Sequence, residues 1–80
     1  MKPGQCRAAR AILGLSQDDL VKVSGVAKAT IAAFELGQRQ PYARTIDAIR
    51  TALEGVGVEF IAENGGGAGV RLRKASNELG

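Results

Sequence analysis

Eighty residues, 45% of them apolar and with a net charge of +3, make one small domain: too apolar for disorder and too short for a second core. A single cysteine and no histidine exclude an intrachain disulfide and a Cys/His metal site, and they remove the commonest general base. Residues 1–40 hold six Lys/Arg against three Asp/Glu, and residues 41–80 hold five of each. A basic front half suits a surface that meets phosphate, although an ordinary solvated surface would look the same.

Aromatic residues are only 4%, so the core is expected to be aliphatic, built from Ile12, Leu13, Leu15, Leu20, Val26, Ile31, Ile46, Ile49 and Leu53. Cys6 is expected to be a small packing residue on the first helix. There is no long apolar run and no signal-peptide pattern, so the expected location is cytoplasmic, with no membrane contact.

Along the chain, residues 5–13 place Cys6, Ala9, Ile12 and Leu13 at helical spacing, with Gly14 as the stop. Ser16 is a good N-cap for a second helix, and Asp18 and Asp19 fall in its first turn, where the helix dipole favours negative charge. Leu20 and either Val23 or Ser24 would face inward. Gly25 permits a tight turn, and Val26 can plug it. A third helix is expected over 27–36, with Ile31 and Phe34 on its buried side and Gly37 after it. Residues 38–41 form a loop. A fourth helix follows over 43–54, with Ile46, Ile49 and Leu53 on one face, ended by Gly55.

After Gly57 the period changes. Val56, Val58 and Phe60 alternate with Glu59 and Ile61, and Val70 and Leu72 alternate with Arg71 and Arg73. The glycine-rich segment between them reads as a hairpin loop. A P-loop would need a following Lys-Ser/Thr and a helix, and neither is present. The expected organisation is a helical domain over 1–55, a β-hairpin extension over 56–74 and a flexible tail over 75–80.

The spacing of the second and third helices is that of a helix-turn-helix, in which the second helix projects into a major groove and the first braces it. By spacing alone, a plain packing unit would look alike. The residues say more. Arg10, Gly14-Leu15-Ser16-Gln17, Leu20, Gly25-Val26, Thr30-Ile31, Glu35, Gly37, Arg39 and Pro41 follow one another in an order that resembles the phage-repressor, Cro-like (XRE) family of helix-turn-helix regulators. The resemblance covers about residues 5–54. It implies a mainly α fold, a four-helix Cro/repressor-like domain, here with a C-terminal β-hairpin. The expected function is binding: no convergent acid, base or nucleophile is visible for catalysis, and no cofactor is expected.

The same resemblance implies roles for single residues. Gln17 would touch phosphate at a helix start, where free N–H groups suit an anion. Lys28, Ala29 and Thr30 form the first turn of the reading helix, and Ala32 and Ala33 lie one turn on. Gln38 and Arg39 follow it in the loop, with Arg39 placed for backbone phosphate. Arg10 and Glu35 look like the family's internal ion pair and are structural.

The chain departs from the family pattern in three places. Ala27 stands where the family has a Ser or Thr N-cap, a change that costs about 1 kcal/mol. The reading face lacks Arg, Asn and Gln, whose bidentate base contacts are worth roughly 1–3 kcal/mol each. The fifth helix common in the family is replaced by the hairpin. Phosphate binding and shape readout remain open to such a face.

The function expected from all this is a small DNA-binding transcriptional regulator, a homodimer on an operator with inverted half-sites in double-stranded DNA. Val58, Phe60, Val70 and Leu72 would supply the dimer contact, on strands that look like additions to a core already complete in the helices. Arg71, Arg73 and Lys74 could instead reach DNA as a wing, or form a solvated strand face. A different class of function also fits the alanine-rich helix: a protein-interaction module, antiactivator or antitoxin-like, that grips another regulatory protein. An exposed apolar patch near that helix would favour it.

Overall fold

A computed structural model describes residues 1–73. The elements are α1 (Pro3–Leu13), α2 (Gln17–Ser24), α3 (Lys28–Glu35), α4 (Ala43–Val56), β1 (Val58–Ile61) and β2 (Gly69–Leu72). This is the expected mainly helical domain with a C-terminal hairpin. Lys74 and the expected tail over 75–80 lie outside the described residues.

α1 packs on α3 and β2, α2 on α3 and α4, and α4 on β1. The fully buried core is Cys6, Ala9, Leu20, Ile31, Phe34, Ile49, Leu53 and Val58, with Leu13, Leu15, Val26, Ile46, Phe60 and Val70 partly buried around it. Its largest member is Phe34, so the core is not purely aliphatic.

Ile12, expected inside, is 42% exposed. On a helix of 3.6 residues per turn it lies about 120° round from Cys6, whereas Ala9 and Leu13 stay on the Cys6 side. On α2 the alternatives separate cleanly. Val23 faces outward, while the Ser24 hydroxyl donates to the Leu20 carbonyl at 2.6 Å and accepts from the Val26 N–H at 3.2 Å. That second bond fixes the chain as it leaves Gly25, whose φ of 73° makes the turn into α3.

Helix starts differ in quality. At α2, the Ser16 hydroxyl accepts from the Asp19 N–H, and the Asp19 carboxylate accepts from the Ser16 N–H, both at 2.9 Å. At α3 the cap residue Ala27 offers no side-chain bond. α1 begins at Pro3 rather than residue 5: proline suits a first helical position, and Lys2 N–H donates to Gln5 Oε1 at 2.7 Å.

Gly55 does not end α4. The helix continues to Val56, and the Gly57 N–H bonds the Leu53 carbonyl at 3.1 Å. Gly57 is the true break, with φ 144°, and it turns the chain straight into β1. Val56 is therefore helical, 43% exposed, and no part of the strand alternation.

The strands pair antiparallel with Val58 opposite Leu72, Glu59 opposite Arg71, Phe60 opposite Val70 and Ile61 opposite Gly69. One face closes the core. Val58 is fully buried, and Phe60 and Val70 pack against it. Of the four residues expected at a dimer contact, only Leu72 is largely exposed, at 61%. The strands are thus part of the core rather than an addition to it. Gln5, buried at the base of α1, ties them in: its amide donates to the Gly69 carbonyl at 2.9 Å and the Ile61 carbonyl at 3.3 Å.

Candidate nucleic-acid interface

α3 presents two faces. Ile31, Phe34 and Glu35 are buried; Lys28 and Ala29 are exposed; Thr30, Ala32 and Ala33 are intermediate. Residues Leu36 to Gln40 are exposed, which places Gln38 and Arg39 in an open loop directly after the helix. Thr30 and Arg39 meet across a cleft of about 380 Å³ that Gln40, Pro41, Tyr42 and Thr45 complete. Tyr42 is 77% exposed, and the Arg44 guanidinium lies 5.7 Å from its ring centre. Tyr42 and Arg44 were not singled out from sequence. In the sequence their one mark is the Pro41-Tyr42 step that leads into α4.

The buried face holds a hub. Arg10 grips Glu35 with two bonds, Nε to Oε2 at 2.8 Å and Nη2 to Oε1 at 2.7 Å, and its third arm donates to the Leu15 carbonyl at 3.1 Å. Cys6 Sγ donates to Glu35 Oε2 at 3.1 Å, and Gln17 Nε2 donates to Oε1 at 3.0 Å. Arg7 donates to the Glu35 carbonyl. Burial acts to raise the Glu35 pKa, but the bonds from Arg10, Cys6 and Gln17 outweigh it and hold the carboxyl below its ordinary value. Cys6 is pushed up to about 12, by burial first and then by the Glu35 carboxylate, so its thiol stays protonated and unreactive. No buried side-chain nitrogen or oxygen among the described residues lacks a partner.

The Arg10–Glu35 pair joins α1 and α3, as the family resemblance implies. What the sequence did not reveal is that Cys6 and Gln17 join it. The consequence for Gln17 is direct. One of its side-chain N–H groups is committed to a carboxylate inside the protein. The backbone N–H groups of Gln17 and Asp18, at the open end of α2, have no backbone partner among the described residues and remain available to an anion.

Lys28, at the first position of α3, is not free either. Its ammonium lies 3.0 Å from Asp18 Oδ1, and both side chains are more than half exposed. The two described arginines offered as a wing are also engaged on their own chain. Arg71 pairs with Glu59, and Arg73 donates to the Glu54 carbonyl at 2.7 Å.

A helix-turn-helix family model matches residues 7–61, more than half the chain. No curated protein matches it. No helix among the described residues is long and apolar enough to cross a membrane.

Proposed function

The chain belongs to the Cro/repressor-like (XRE) family of helix-turn-helix DNA-binding regulators, and on that premise we propose that it binds an operator with inverted half-sites as a homodimer, through contacts made mainly to phosphate. The observation that carries the reading is the exposed start of α3 beside the open start of α2. Lys28 and Ala29 project from one, and free backbone N–H groups from the other. Arg39 and Arg44 extend the positive edge past the reading helix. Gln17 contributes through its backbone N–H, Arg39 through its guanidinium, and Gln38 as a neutral neighbour in the same loop. Lys28 and Thr30 are the polar groups offered to base edges; Ala29, Ala32 and Ala33 can touch thymine methyls and little else.

A homodimer would place two such helices about 34 Å apart in successive major grooves. The hairpin supports it in a narrower way than the sequence suggests. It is a two-stranded sheet with no third strand on either edge among the described residues, and exposed Leu72 lies on one strand. Two weak half-site contacts on one particle raise the effective concentration of the second, so affinity is gained without new base contacts.

One observation favours a protein partner instead. Leu36 at the end of α3 and Tyr42 at the start of α4 are 69% and 77% exposed. Hydroxyl-radical footprinting on the DNA upstream of the gene separates the readings. Two protected patches one helical turn apart on one face of the duplex are expected. An unprotected fragment at low salt would leave the protein-interaction reading in possession.

A further inference from the structure

Lys28 is the only cation on α3, and Asp18 holds it. The two acids at the start of α2 have different employment. Asp19 is bonded to the Ser16 N–H and completes the helix cap. Asp18, one residue earlier, makes no bond to its own helix; its ion-pair partner among the described residues is Lys28 across the turn. Asp18 thus lies beside the unpartnered N–H groups of the α2 start, which is where a DNA phosphate would dock.

We propose that Asp18 is an affinity-setting residue of the DNA face: in the free protein it holds Lys28 and sets a negative charge next to the open N–H groups of the α2 start, and DNA binds by drawing Lys28 away from it. The proposal rests on the DNA-binding reading above. It follows from two features of the geometry. A phosphate arriving at the α2 start meets the charge of a carboxylate on the same helix turn, and like charges at close range repel. The same phosphate is a competing partner for Lys28. An exposed ion pair is weak enough to exchange without unfolding anything. From Ser16 to Thr30 the chain carries Asp18, Asp19, Lys22 and Lys28, so α2, the turn and the first turn of α3 have no net charge. For a reading face poor in base contacts, such a brake keeps the protein from settling on any duplex by charge alone.

The test is DNA binding by the full chain at several salt concentrations, on the upstream fragment and on an unrelated duplex. The proteins compared are the wild type, Asp18→Asn, Lys28→Met and the double variant, with thermal melts confirming the fold and Asp18→Ser as a second replacement. Asp18→Asn should tighten binding at least about fivefold at low salt and steepen the salt dependence by about 0.9, the equivalent of one more phosphate contact. In the Lys28→Met background the gain should fall to less than half of that, because Lys28 is no longer there to be released. A change of twofold or less on Asp18→Asn overturns the proposal. A gain equally large without Lys28 also overturns it, reducing Asp18 to simple repulsion. If none of these proteins shifts DNA, the DNA-binding reading itself has failed, which is a distinct result.

Discussion

The two faces of α3 are built on opposite principles. Inward, Glu35 is buried and engaged through both carboxylate oxygens by groups from α1 and α2: Arg10, Cys6 and Gln17. Outward, Lys28 meets one partner, Asp18, across an exposed gap. The inner pair is bidentate and screened from water; the outer pair is a single contact in solvent. Each is a pairing of one acid and one base carried by two different helices. Their energetics differ because a buried charge that loses its partner cannot rehydrate, whereas an exposed one can. The inner face therefore fixes how α1, α2 and α3 sit together, and the outer face is left free to exchange partners.

The largest effect should come from breaking the inner face. Arg10→Met leaves the Glu35 charge buried without its main partner and should destabilise the fold by about 3–5 kcal/mol, read by thermal or urea melting. Glu35→Gln should act in the same direction with a smaller effect. An Arg10→Met protein that melts normally yet loses DNA would make the pair functional rather than structural.

The inner face should also be visible in the pH dependence of stability, at both ends. Glu35 has a folded pKa below its ordinary value, so its contribution is present above that ordinary value and is lost as pH falls through the folded one. Cys6 is raised from 9.0 to about 12, so the folded state holds its proton more tightly than the unfolded chain. Its contribution is intact below about pH 9 and declines as pH rises towards 12. Comparing melts of wild type and Cys6→Ala across pH 8 to 11 isolates the alkaline part, which the substitution should remove.

A third prediction concerns the hairpin. Val58 is fully buried, so Val58→Ala should cost about 2 kcal/mol, and deleting residues 57–80 should destabilise the helices rather than merely prevent dimerisation. Sedimentation adds the other half: the wild type should run as a dimer and a folded Leu72→Asp chain as a monomer. The smallest effect is a gain. Ala27→Ser supplies the missing cap of α3 and should stabilise by about 1 kcal/mol.

The sequence carried the element order because it is written locally: Ser16 as a cap, Gly25 as a turn, and the change of period after Gly57. It carried the Arg10–Glu35 pair only through resemblance, since residues so far apart have no local relation. The rest was hidden for identifiable reasons. Gly55 looks like a helix stop, but the Leu53 carbonyl still finds the Gly57 N–H, so the helix runs on. Gln17 reads as a phosphate-facing residue, and only the packing shows that its side chain bonds buried Glu35; likewise only the packing shows that buried Gln5 ties α1 to the hairpin. Val58 and its neighbours read as a face awaiting another chain because alternation says which side is apolar, not what covers it. The reading face was the clearest part, as its shortage of long donors is a matter of composition; the Asp18–Lys28 contact needed the fold.

The salt dependence of DNA binding tests the central claim most directly. The log of the association constant for the upstream fragment should fall linearly with the log of salt concentration, by about 0.9 per neutralised phosphate. An unrelated duplex should show a similar slope at lower affinity, because the contacts are made chiefly to the backbone. Affinity for the upstream fragment that is nearly independent of salt, with no binding to the unrelated duplex, would contradict a phosphate-dominated interface and place the recognition in base contacts that this helix is argued to lack.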